Sequence, residues 1–86
     1  MIWIAQVDRS DISRCVIEPV KFRYPPDGQE KTEYCLYVYG ADGRCTHDYL
    51  QEELDIAQDQ ALRKFGVPLE AWQAVEVSDA PYPGKR

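Results

Sequence analysis

The sequence predicts an α+β domain, a two-layer sandwich in which a mainly antiparallel sheet of three to four strands carries one long helix on one face. Three observations lead there. The first forty residues hold runs rich in β-branched and aromatic residues, separated by turn-forming clusters. After Gly40, Ala41, Asp42 and Gly43 the apolar period lengthens from two to three or four. That period stops at Gly66, Val67 and Pro68, a glycine closing residue followed by a proline that forbids continuation.

Residues 2–7 are short and apolar and run into Asp8, Arg9, Ser10 and Asp11, which reads as a strand and a turn. Residues 15–24 form a second strand. Tyr24, Pro25, Pro26, Asp27 and Gly28 have loop chemistry, and residues 32–39 are the strongest strand, so the two runs pair as a hairpin. If it turns about Asp27 and Gly28, Val20 lies opposite Cys35 and Ile17 opposite Val38. Pro19 cannot donate to a ladder and asks for an edge or a bulge. A simple 1-2-3 meander therefore competes with the order 2-3-1.

Asp48 with Gln51 resembles a capping box, with Thr46 as an alternative cap, so the helix is expected to start there. Leu50, Leu54, Ala57, Ala61 and Phe65 fall on one helical stripe that faces the core. Residues 73–77 have room for a last strand. A single domain over 1–77 and a mobile tail over 78–86 complete the expected layout.

Strand alternation divides the sheet into two faces. Ile2, Ile4, Cys15, Ile17, Tyr34, Leu36 and Val38 form the aliphatic set matched to the helix. Trp3, Ala5, Val16, Val20, Phe22, Cys35, Tyr37 and Tyr39 form the other, interrupted by Glu18. One helix covers one side only. The second face therefore expects the segment around Trp72 folded back over it, or a homodimer or partner interface centred on Trp3, Val20, Phe22, Tyr37 and Tyr39.

Composition narrows function. A net charge of −5 without a basic stripe speaks against direct nucleic-acid binding, and nine acidic against five basic residues over 41–86 place the negative field in the second half. No apolar run approaches the roughly 18 residues of a membrane span, and the first residues lack a signal-peptide pattern. Three cysteines without C-x-x-C spacing fit reduced thiols in the cytoplasm.

On the expected helix, Asp48, Glu52, Asp55 and Asp59 recur at spacings of four, three and four, opposite the apolar stripe. They read as a solvated face or as an acidic surface for a basic protein partner. Tyr49 and Ile56 flank that stripe as anchor candidates. Cys45 and His47 are the only pairing with catalytic or metal-binding residue types; a zinc site needs two more ligands, with Cys35 and Asp48 the nearest choices. No nucleotide-binding or hydrolase motif is present in the sequence. The expectation is a non-catalytic protein-binding domain without cofactor or metal, of inhibitor, immunity or regulatory-adaptor type, with a structural homodimer as the alternative.

Overall fold

The computed structural model describes residues 1–24 and 28–76, and the side chain of Tyr24 lies outside that description. Residues 25–27, the expected tail over 78–86 and the expected strand end at Val77 also lie outside it. The fold is α+β, with one antiparallel sheet of five strands rather than three to four. The strands are β1 (Ile2–Gln6), β2 (Ile12–Tyr24), β3 (Gln29–Gly40), β4 (Cys45–Gln51) and β5 (Gln73–Val75). Their order across the sheet is β4-β3-β2-β1-β5. Among the described residues there is one α-helix, α1, Leu54–Phe65, and a short 3-10 turn, Leu69–Ala71, leads into β5.

The hairpin of β2 and β3 pairs Ile17 with Leu36 and Val20 with Glu33, two residues away from the expected register. A slip of two keeps every side chain on its face, because the strand repeat is itself two. The order 2-3-1 does not occur; β2 lies between β3 and β1. Pro19 is tolerated there because β1 is short. Its pairing with β2 runs from Gln6 opposite Arg14 to Trp3 opposite Ile17, so Pro19 lies past the paired stretch, and among the described residues it pairs with β3 alone.

The largest departure is β4. The stretch containing Asp48 and Tyr49 pairs as a strand with β3, Tyr49 opposite Leu36 and Asp48 opposite Tyr37. The helix begins only at Leu54, capped by the backbone of Glu53 without a side-chain hydrogen bond, so neither Asp48 nor Thr46 is its N-cap. The turn at residues 40–44 aims the chain back along β3, with Gly40 N–H donating to Arg44 O at 2.8 Å and Gly43 at φ 84°. Pairing there satisfies the exposed edge of β3. Local helical spacing gives way, since a ladder of backbone hydrogen bonds outweighs weak propensity.

The helix that remains is twelve residues long rather than extending back to Asp48. Ala57, Ala61 and Phe65 are buried against the sheet, whereas Leu50 is 49% exposed on β4. Its C-terminus closes as the sequence predicts. Gly66 N–H donates to Leu62 O at 3.0 Å and Val67 N–H to Ala61 O at 3.2 Å, with Gly66 at φ 72° and Val67 fully buried. This is the double-bonded glycine closure of a Schellman motif. Arg9 from the β1–β2 turn adds a hydrogen bond from Nη1 to Phe65 O at 2.8 Å and holds Asp11 through Nε at 3.1 Å. Replacing Gly66 by alanine is expected to lower stability by about 1 kcal/mol through the left-handed backbone, because an added Cβ meets nothing within 4 Å. Urea titration checks this, and an unchanged midpoint refutes it.

Two clusters line the sheet. The helix-side cluster contains Ala5, Ile12, Cys15, Ile17, Leu36, Val38, Ala57, Ala61, Phe65 and Val67, with Trp3, Tyr34, Tyr49, Leu54 and Trp72 packed on it. Ile12 and Cys15, three residues apart, share this face because the β2–β3 register shifts between Ile12 and Arg14. The opposite cluster contains Ile2, Ile4, Val16, Tyr37 and Tyr39.

Candidate functional site

The two strands β2 and β3 carry their side chains on the expected faces, but β1 is inverted. Its register sets Trp3 opposite Ile17, Ile4 opposite Val16 and Ala5 opposite Cys15. Directly opposed residues share a face. Trp3 and Ala5 therefore look toward α1, and Ile2 and Ile4 look away. Trp3 meets Tyr34 edge-on, ring centroids 6.1 Å apart. An interface uniting Trp3 with Tyr37 and Tyr39 is thereby ruled out, since a sheet separates them.

The segment around Trp72 also goes elsewhere. Ala71 and Trp72 pack on the helix-side cluster, and β5 extends the sheet by pairing with β1, Trp3 opposite Ala74. It does not cover the second face. Nor is that face an open aromatic patch, because Tyr37 is 7% exposed, Tyr39 5% and Val16 0%. Arg14 lies over the Tyr39 ring, its guanidinium carbon 4.9 Å from the centroid. Tyr37 Oη donates to Glu18 Oε1 at 3.5 Å. Glu18 and Glu33 are both buried, and Val20, opposite Glu33, and Phe22 continue this face by alternation toward the far end of the hairpin, where both are half-buried.

The acidic stripe is divided among elements. Asp48, on β4 opposite Tyr37, belongs to the second sheet face, and Glu52 precedes the helix and pairs with Lys31 at 3.5 Å. Only Asp55 and Asp59 lie on α1, the latter held by Arg63 Nε at 2.7 Å. Tyr49 is likewise no helix-flank residue. From β4 it faces the end of α1, its ring 6.3 Å from Phe65 and nearly parallel to His47 at 6.1 Å, with Lys64 Nζ 5.6 Å from its centroid.

Ile56 keeps the place expected of it. It is 44% exposed on α1 and lines an open groove with Asp55, Gln58, Asp59, Arg63 and Leu69, the last 54% exposed. Two large aliphatic side chains in a groove rimmed by carboxylates can desolvate an apolar anchor of a partner while the rim selects its charge. Leu69 is absent from the residues expected at a site. The signal for it was Pro68: the 3-10 turn it starts, closed by Ala71 N–H to Pro68 O at 3.0 Å, leaves Leu69 exposed in the groove beside α1.

Comparisons with protein-family models, curated proteins and solved structures returned no match.

Cys45 and His47 are separated by a register shift in β4. Cys45 pairs with Tyr39 and faces away from α1, while His47 pairs with Val38 and meets the Phe65 ring at a tilt, centroids 5.6 Å apart. The two side chains do not point the same way, and Cys45 Sγ donates to the backbone oxygen of His47, at 3.4 Å, rather than to its ring. Among the described residues no three of His, Cys, Asp and Glu converge as metal ligands. Cys15, fully buried beneath α1, has its thiol pushed from 9.0 up to about 12 by burial, against the opposing pull of Arg9. Such a thiol is a packing group rather than a nucleophile. Among the described residues no helix is long and apolar enough to cross a membrane.

Proposed function

We propose that this chain is a small acidic protein-binding domain that works in the cytosol without catalysis of its own, as an inhibitor, immunity-type protein or regulatory adaptor. The observation that carries the reading is the groove between α1 and the 3-10 turn, where Ile56 and Leu69 stand exposed beside Asp55 and Asp59. Adjacent exposed aliphatic side chains are the sort of surface that association removes from water. The partner this suits offers an apolar anchor ringed by basic side chains. Three cysteines without C-x-x-C spacing accord with a reducing compartment.

The test is affinity capture with the parent chain beside an Ile56→Glu/Leu69→Glu variant and an Asp55→Lys variant. Both leave the buried clusters untouched. A discrete partner retained by the parent, lost by the first variant and weakened by the second supports the reading. Equal recovery by all three refutes it.

A further inference from the structure

We propose that β4 is a docking edge for a second copy of this chain, and that two molecules join there, antiparallel, into one sheet of ten strands, five from each. An outer strand turns alternate N–H and C=O groups away from its neighbour. Those groups template pairing with another chain unless the strand is short, bulged or carries proline or lysine. Among the described residues the sheet has two outer strands, β4 beside β3 and β5 beside β1. β5 is blunted by its length of three residues. β4 has seven, none of them proline, lysine or arginine. Its register shift falls at its start, between Cys45 and His47, so residues 47–51 run in unbroken register with β3.

Having one competent edge decides how many copies join. Contact between two different edges grows into a filament, whereas one edge meeting itself is isologous and closes at two. The two-fold axis then stands perpendicular to the sheet, at the middle of the regular stretch, which is Tyr49. Pairing about that point sets Tyr49 opposite its own copy, Asp48 opposite the partner's Leu50 and His47 opposite the partner's Gln51. An axis through Asp48 is disfavoured, because it sets two carboxylates directly against each other.

Side chains favour the same arrangement. Leu50 is 49% exposed although Cys35 lies beside it on β3, and a strand laid against β4 takes its open flank out of water. The two Tyr49 rings make an aromatic cross-strand pair at the axis. Charge selects the direction. Arg44, 87% exposed, precedes β4, and Glu52 and Glu53 follow it, so antiparallel pairing brings each molecule's cation toward the other's carboxylates. Parallel pairing aligns like with like. The net charge of −5 on each copy opposes the encounter, and physiological salt screens it beyond about 8 Å. Helix α1 packs across a face of the sheet and leaves this edge open. The edge is a separate surface from the groove of Ile56 and Leu69, which belongs to α1 and the 3-10 turn.

Sedimentation equilibrium of the full chain, kept reduced so that no disulfide links the copies, should show a mass that rises with concentration from 9.9 kDa to twice that value and stops there. Amide hydrogen exchange should slow with concentration in β4 alone among the strands. Leu50→Asp sets a carboxylate against the partner's Asp48, and the axis repeats the clash, so the dissociation constant should rise at least about tenfold. Leu50→Lys meets the same Asp48 with a cation and should hold the dimer, and Asp48→Lys/Leu50→Asp should restore it by exchanging the signs. Both single variants alter an exposed side chain, and urea midpoints equal to the parent's show that they are folded. Should the double variant not fold, the single variants carry the test, and equal weakening by aspartate and lysine overturns the pairing. A chain that stays at 9.9 kDa at every concentration overturns the proposal, as does one that grows past the dimer. A dimer indifferent to Leu50→Asp but lost in Ile56→Glu/Leu69→Glu overturns it in favour of the groove. Protection of β4 that is independent of concentration overturns it in favour of cover from within one chain.

Discussion

Leu36→Ala is expected to lower the unfolding free energy by about 3 kcal/mol, within the range seen when a large aliphatic side chain is cut from a packed core. Leu36 is fully buried on β3, flanked by Ile17 on β2 and Tyr49 on β4, in the cluster that α1 packs upon through Ala57 and Ala61. The sheet holds its neighbours in register from both sides. They cannot collapse into the space, so the lost transfer energy and the cavity add. In a domain whose whole stability is about 5 to 15 kcal/mol, that is a large share. Urea unfolding should show the midpoint falling with little change of slope. Leu50→Ala is the control, since Leu50 is 49% exposed, and its effect should stay below about 0.5 kcal/mol. Equal effects at the two positions contradict the assignment of the core.

Alkaline conditions are expected to weaken the fold through Cys15. A thiolate under α1 loses hydration that no neighbour replaces, and burial holds the folded pKa near 12 against an ordinary 9.0, with Arg9 pulling the other way. The folded chain thus keeps a proton that the unfolded chain releases. Its stabilising contribution is complete below pH 9, falls as pH rises through the window to 12, and is lost beyond it. Three units correspond to a difference on the order of 4 kcal/mol. Cys15→Ala removes this dependence and keeps the titrations of all other groups. Stability measured from pH 8 to 11 should therefore fall more steeply in the parent than in the variant; parallel curves would show that Cys15 ionises freely in the folded protein.

How far the sequence speaks for itself differs from element to element. The end of α1 was fully legible, because Gly66, Val67 and Pro68 act through backbone geometry within one turn. The alternation of β2 and β3 was legible too, and survived a two-residue error in register. The start of α1 was not. Asp48, Tyr49 and Leu50 carry spacing that suits a helix, yet they form β4 because β3 presents an unpaired edge to them. Of the expected site, Ile56, Asp55 and Asp59 stayed together on α1, while Asp48 and Tyr49 moved to a strand.

Sequence alone determined the α+β class, the apolar stripe of Ala57, Ala61 and Phe65, and the stop at Gly66, since each depends on contacts or backbone preferences within a few residues. Tertiary structure decided the face of β1, the fifth strand, the conversion of residues 45–51 to β4 and the placing of Trp72 beside α1. Those features depend on which strand lies next to which. Register between distant segments is set by the shared burial of both and by the hydrogen bonds an edge still lacks, and neither quantity is written in the local pattern of one segment.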